Sequence, residues 1–315
     1  MLHKEGAIRG ALARPGTARA RWPRLSLARQ EELIAYAFIL PSLLGFIVFL
    51  VVPMIASLGI SFYDWELLTP PQFVGFKNFV TLSTDRIFRQ VVVNTLYYTF
   101  GLVPLNLVVS LGLAVWLNTR LRGLTLYRMA FFLPVVTVTV AVALIWRWMY
   151  EPRAGIIDVA LRAVGLPGPS WLGDAHWAMP AIILMSVWKG FGYNMVLFLA
   201  GLQGIPVSIY EAAMIDGANA WQRFRRITLP LLSPVIFLAV VLTVISSFQV
   251  FDQALVMTNG GPANATNTIV LYIYQNGFQF FRMGYASAIA WALFVVIFIF
   301  TLFQMRLQGR WVQYD

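Results

Sequence analysis

Six long stretches almost free of charge constrain this chain more than any other feature. Crossing ~30 Å of hydrocarbon takes roughly 20 helical residues, because in lipid the backbone must satisfy its own polar groups. Runs of that kind cover residues 33–63, 91–119, 129–146, 177–202, 227–251 and 283–305. The third is short and is expected to borrow Tyr127 and residues 147–149, with Arg147 snorkelling toward the headgroups. One such run could be a buried helix of a soluble domain. Six in a chain that is 59% hydrophobic and 11% charged describe an all-α membrane protein with six transmembrane helices.

The formal net charge of +10 does not point to nucleic acid, because Lys and Arg lie at the ends of the apolar runs and not on one polar domain. They orient the chain instead. With the N-terminus inside, Lys4, Arg9, Arg14, Arg19, Arg21, Arg24, Arg29, Arg120, Arg122, Arg128, Arg223, Arg225, Arg226, Arg306 and Arg310 fall on the inner side. Lys77, Arg86, Arg89, Arg153, Arg162 and Arg282 fall outside. This bias predicts an N-in, C-in protein, and its direction survives omission of the Arg-rich tail. The organisation expected is a flexible basic cytoplasmic tail over 1–32, a transmembrane domain over 33–306 with a cytoplasmic loop at 208–230, and a cytoplasmic C-terminus over 307–315. The first run is too long for a signal-peptide core, so the tail is read as lying near anionic lipid.

There are no cysteines and only two histidines, His3 and His176, which excludes disulfides, thiolate chemistry and a Cys- or His-built metal centre. No nucleophile–base pair suggests an enzyme, so no catalytic residue is expected. Trp22, Trp65, Trp146, Trp148, Trp171, Trp177 and Trp311 stand near run ends as interface anchors. Pro41, Pro53, Pro104 and Pro134 lie inside runs, where each removes a backbone bond and bends a helix. Residues 151–166 carry the pattern of a short amphipathic helix on the membrane face, and Asn259-Gly260-Gly261-Pro262 marks a tight turn.

Residues 208–230 differ in character. Ser208-Ile209-Tyr210-Glu211 has the form of a capping box, so a helix is expected to start after Pro206. Gly217, after Asp216, permits a left-handed bend, and a second helix would carry Trp221 and Phe224 before Ile227-Thr228-Leu229-Pro230 returns the chain to the membrane. The Ala212-Ala213 to Gly217 portion alone could be a helix-packing patch.

The whole string, Glu211-Ala212-Ala213, three residues, Gly217, nine residues, Ile227-Thr228-Leu229-Pro230, resembles the EAA loop of the inner-membrane permeases of ABC importers. The resemblance implies the type I importer permease fold and makes this loop a coupling helix. Glu211, Ala212, Ala213, Asp216, Gly217, Trp221, Phe224 and Pro230 would then meet the cleft of an ATP-binding subunit. Further matches resemble the carbohydrate-uptake branch, which includes the maltose and glycerol-3-phosphate permeases. They are Pro41-Ser42-Leu43, Pro53, Gly75-Phe76-Lys77-Asn78-Phe79, Ser186-Val187-Trp188-Lys189, Gly260-Gly261-Pro262 with Thr266 and Thr268, and Gly284-Tyr285-Ala286-Ser287-Ala288. The chain lacks the extra N-terminal spans and large external domain of the maltose permease.

The partners implied are a second, similar permease, two ATP-binding cassette subunits, an extracytoplasmic solute-binding protein and the bilayer. With no G-x-x-x-x-G-K-[ST] in the chain, no cofactor is expected here, and Mg-ATP would be held by the partner ATPase. Ionisable residues inside spans mark a pathway. Lys189, Tyr193 and Asn194 in the fourth run, with Ser246, Ser247, Gln249 and Asp252 in the fifth, could hydrogen-bond and stack a sugar or polyol. A Lys189–Asp252 ion pair that locks two helices is the equal alternative, and a free Lys189 would suit a glycerol phosphate or glycerophosphodiester. An ion-coupled secondary transporter is a further reading, with Asp252 almost its only relay candidate.

Overall fold

The computed structural model describes residues 26–119 and 123–311. Residues 1–25 of the expected basic tail, together with Trp22, Arg120 and Arg122, lie outside them. Two compact units are present, Met1–Ile55 and Ala56–Asp315.

The first unit carries α1 (Leu27–Phe46) and a π-helical turn, Ile47–Val51, that leads into α2 (Val52–Ile60). Helix begins earlier than the expected tail boundary, because Ser26 caps it by accepting from Arg29 N at 3.4 Å. The π turn ends two residues before Pro53, whose ring removes the N–H that would have met Phe49 O, and the widened turn accommodates that loss. No residue of α1 is buried, and Phe38 and Phe49 are 81% and 83% exposed.

In the second unit a two-stranded hairpin pairs β1 (Tyr63–Asp64) with β2 (Gln72–Phe73), antiparallel, with Tyr63 opposite Phe73. It is held to α3 (Lys77–Thr84) by Asn78, whose amide donates to Ser61 O at 2.8 Å and Tyr63 O at 2.9 Å. Next comes α4 (Arg86–Leu117), capped by Asp85, which accepts from Ile87 N at 2.8 Å.

The third run is not one straight helix. It forms α5 (Leu124–Val136) and α6 (Thr139–Met149), which meet at 97°. Val135 to Val140 are six consecutive β-branched residues, which lose rotamer freedom in a helix and make this the weak point of the run. Arg147 does not reach out alone, since its guanidinium donates to Val256 O at 3.4 Å. The amphipathic segment forms α7 (Ile156–Ala163), pinned by buried Asp158, which pairs with Arg162 at 2.8 Å and accepts from Arg153 N at 2.9 Å.

At the centre stands α8 (Ala175–Gln203): 61% of its most apolar 18 residues are buried, against 28% for α4. It runs parallel to α4, with Ser110 donating to Phe191 O at 2.9 Å. One apolar cluster gathers Tyr98, Tyr150, Ile182 and Met185, and another gathers Leu117, Phe198, Leu202 and Leu232. Several predicted anchors pack on one another there, Trp171 lying 5.4 Å from both Tyr150 and Trp177, whereas Trp148 stays 62% exposed.

The chain continues through α9 (Val207–Ile215), α10 (Ala220–Arg223), a π turn at Phe224–Thr228, α11 (Leu229–Leu231) and α12 (Ser233–Phe248). The fifth run is bent by 67° between Ala220–Leu231 and Ser233–Phe248. Its π turn again precedes a proline, Pro230. Then come α13 (Asp252–Thr258), α14 (Ile269–Tyr274) and α15 (Met283–Trp311), so helix extends into the segment expected as the C-terminal tail. Among the described residues four helices are long and apolar enough to cross a membrane, or up to six if each bent pair counts as one span.

The turn at 259–262 forms as expected, with Asn259 and Gly260 at φ 50° and 83°. Thr266 donates to Gly261 O at 2.7 Å and Thr268 to Val250 O at 2.9 Å, so both pin this loop. Asn94 of α4 grips it from the other side, donating to Asn264 O at 2.6 Å and Asn267 O at 3.0 Å.

Candidate functional site: a polar cavity and an exposed helical elbow

Two places gather the residues singled out in the sequence. The first is a cavity of about 560 Å³ between α4, α8 and α12, closed on one side by the α5–α6 break and the start of α13. Its size lies within the ~300–1,000 Å³ usual for small-molecule sites. Lys189, Tyr193, Asn194, Gln249 and Asp252 all line it, as does Ser246. Ser247 does not: it is buried, donating to Val244 O at 2.7 Å and Thr99 Oγ1 at 3.0 Å, so it ties α12 to α4.

The cavity floor is a chain of amides and hydroxyls. Asn194 Nδ2 donates to Asn106 Oδ1 at 2.8 Å and Thr243 Oγ1 at 2.9 Å, while Ser110 donates to Asn106 O at 2.6 Å. This network spends the Asn194 amide hydrogens and leaves its Oδ1 buried with no hydrogen-bond partner. Tyr193, 51% exposed, offers a ring face nearby.

Lys189 and Asp252 share the cavity wall, but the described ion pairs are Lys77–Asp64, Arg162–Asp158 and His176–Asp174. Lys189 Nζ instead lies 3.5 Å from both Pro134 O and Val135 O. Tyr98, Asn106, Thr139, Ser186 and Thr243 also line the cavity, beyond the residues expected there from the sequence. An amide mid-run, as at Asn106, was the available signal.

The second place is the segment from Pro206 to Leu231. Its first helix starts at Val207 with Pro206 as N-cap, and no side chain caps it. Ser208 therefore sits inside the first turn, and the expected Ser208–Glu211 capping box does not form. The capping box of this segment is at α10, where Asn219 Oδ1 accepts from Gln222 N at 2.9 Å and Gln222 Oε1 accepts from Asn219 N at 2.8 Å. The predicted bend is present. Gly217 adopts φ +77°, Gly217 N reaches Met214 O at 3.1 Å and Ala218 N reaches Ala213 O at 2.9 Å, a Schellman closure of α9 around Asp216.

Glu211, Ala212, Asp216 and Gly217 are exposed and Ala213 is half-buried. Ile215 is 87% and Trp221 66% exposed. Trp221 and Phe224 lie 5.7 Å apart at 31° and, with Leu229, wall an apolar groove against Val108, Leu111 and Val115 of α4. Pro230 follows in α11. Tyr210 OH and Thr228 Oγ1, 3.0 Å apart, tie α9 to the returning chain. Because α4 and α8 are parallel, this segment lies at the opposite end of the helices from the Asp85 and Asp174 caps.

At that opposite end Asp85 accepts hydroxyl hydrogens from Tyr272 at 2.7 Å and Tyr285 at 2.5 Å. Partial burial alone would raise its pKa. The bonds from Tyr285, Tyr272 and the backbone N–H groups of Phe88 and Ile87 outweigh that and hold the carboxyl below its ordinary 3.8.

A multi-span helical protein with a polar cavity between its spans and a bare helical elbow at one end has the build of a membrane transporter subunit. Residues 41–313 match the model of the binding-protein-dependent transport system inner membrane component family, and the chain belongs to that family. It is 41% identical over 292 residues to the probable ABC transporter permease protein YesP of Bacillus subtilis, covering 91% of this chain and 94% of that one. It is 36% identical to the lactose transport system permease protein LacF of Rhizobium radiobacter, over 89% and 96% of the two chains. A crystal structure of a bacterial ABC transporter involved in import of the acidic polysaccharide alginate contains a chain that superposes with a TM-score of 0.77 at 26% identity, covering 91% of this chain and 98% of that one. This chain is thus a multi-pass component of the cell membrane.

Proposed function

We propose that this chain is the permease subunit of an ATP-driven ABC importer that moves a sugar, an oligosaccharide or disaccharide or a related polyol, through the cavity between α4, α8 and α12. The observation that carries the reading is the cavity's lining of amides, hydroxyls and a tyrosine ring, a set suited to a neutral polyhydroxy solute. Relatives named for lactose and for alginate support the same class.

In this reading the chain spans the membrane six times, each bent pair counting once, with both termini in the cytoplasm. Arg128, Arg223, Arg225 and Arg226 then lie on the inner side, as the positive-inside rule asks. Glu211, Ala212, Ala213, Asp216, Gly217, Trp221, Phe224 and Pro230 meet an ATPase subunit. ATP is hydrolysed there, with its Mg²⁺, and not in this chain. A second, similar permease completes the passage, and an extracytoplasmic binding protein delivers the cargo. A glycerol-3-phosphate or glycerophosphodiester importer is the second reading. It is the weaker one, because Lys189 faces two carbonyls and Asp252 shares its cavity. Family membership sets aside an ion-coupled secondary transporter.

The test is reconstitution of the co-purified complex in liposomes, with uptake measured against neutral disaccharides, polyols and glycerol phosphates. ATP-dependent uptake of a neutral saccharide is expected. Transport by the purified chain with no ATPase attached would contradict the assignment.

A further inference from the structure

The break in the third span ends a helix beside the middle of α8, at the wall of the cavity, with little local to cap it. Thr137, at the C-cap of α5, is extended at φ −70° and ψ 140°, so no left-handed residue folds the chain back onto the last carbonyls. Val138, which opens α6, makes no side-chain capping bond either. Only Thr137 Oγ1 turns back, donating to Leu133 O at 3.0 Å. The carbonyls of Pro134 and Val135 thus depend on another element, since the last turn of a helix leaves its oxygens unpaired and carries its negative end.

Lys189 is that element. It is the fifteenth of the 29 residues of α8, placed level with the break, and its Nζ lies 3.5 Å from both oxygens. The approach that brings it there is built in. A Cβ on Gly192 would stand 2.3 Å from Phe131 O, so α8 and α5 pack in this register only with glycine at that position. On either side of the break Val135 and Thr139 form part of the cavity wall.

We infer that Lys189 is a positioning residue: its ammonium caps the C-terminus of α5, holds the third span open at its break, and thereby sets Val135 and Thr139 in the cavity wall. This differs from an ion pair with Asp252 and from a direct grip on cargo. It rests on the reading of the cavity as the cargo route only for its consequence in transport, not for the cap itself.

The chain has no cysteine, so with partner subunits freed of theirs, labels can be placed without background. Leu126→Cys on α5 and Leu144→Cys on α6, at positions 68% and 52% exposed, would carry spin labels on the two arms of the break in the intact complex without cargo. Lys189→Met is expected to shift or broaden the distance distribution between the arms, and Lys189→Arg to restore it. Should the Met variant fail to assemble, Lys189→Gln, which keeps a donor without the charge, is expected to give an intermediate distribution. A distribution unchanged in the Met variant, or in the Gln variant where Met does not assemble, would overturn the inference. A shift of the arms in a complex that imports no saccharide would leave the cap standing and remove the proposed cargo instead.

Discussion

The cavity and the coupling segment are built from similar residues and finished to different degrees. At the cavity Asn194, Asn106 and Thr243 bond to one another, with Ser110 behind them, and the groups that line it come from six helices of one chain. In the coupling segment α9 and α10 are closed by local devices alone, the Schellman turn at Gly217 and the Asn219–Gln222 capping box, while Ile215 and Trp221 face outward. A surface of that kind is shaped in advance and left uncovered, which is what a docking element for a separate subunit requires. On the proposed reading the cavity is pre-formed for a ligand, and the elbow for a protein.

The sharpest way to break the contrast is at Gly217. A Cβ there meets nothing within 4 Å, so Gly217→Val is a purely conformational change at φ +77°. Strain at such a position is ~1–3 kcal/mol. ATP-dependent uptake is expected to fall about tenfold or more, with the spans still inserted and the cavity still binding cargo. Unchanged uptake would mean that the elbow does not set the stroke.

Asn194→Leu attacks the other side. It removes the amide that joins Asn106 to Thr243, a loss of ~1–2 kcal/mol, so the KM for cargo should rise roughly five- to thirtyfold while the ATPase stays attached. An ATPase lost from this variant, or a KM unmoved, would erase the division of labour. Trp221→Ala is expected to weaken ATPase binding about tenfold, as truncation of a buried aromatic anchor does, with KM for cargo preserved. Titration of the detergent-solubilised permease with its ATPase measures this.

The smallest effect concerns neither place. The folded Asp85 has a lowered pKa, so its stabilising contribution is present above 3.8 and is lost as pH falls through and below that value. Thermal unfolding of the complex should be insensitive to this group between neutral pH and pH 5, and Asp85→Asn should flatten the decline seen in stronger acid. A decline already present near pH 6 and abolished by this substitution would contradict the assignment.

Much of this was legible in the residues. The apolar runs located every long helix, because each had to be long enough for lipid, and the Gly217 bend followed from glycine's freedom. Lys189, Tyr193, Asn194, Gln249 and Asp252 were marked by being polar where apolar residues are the rule, and they converge on one cavity. Ser247 carried the same mark and turned inward to Thr99, because a hydroxyl can satisfy itself on a neighbouring helix and hydropathy does not say which way it faces. The break at Thr137 was hidden for a different reason. Four of the six β-branched residues from Val135 to Val140 are valines, so the residues that make the run look like a span also weaken its helix. Ser208–Glu211 had the letters of a capping box, but Pro206 took the N-cap position two residues earlier.

The central claim is that a stroke received at the elbow changes access to the cavity. Ser246 lines that cavity in a chain without cysteine, so Ser246→Cys, read on this subunit's own band, reports on the cavity. In the reconstituted complex a membrane-impermeant thiol reagent should reach this position from one face of the membrane without nucleotide and from the other after ATP hydrolysis is trapped with vanadate. Labelling from the same face in both states would contradict the account.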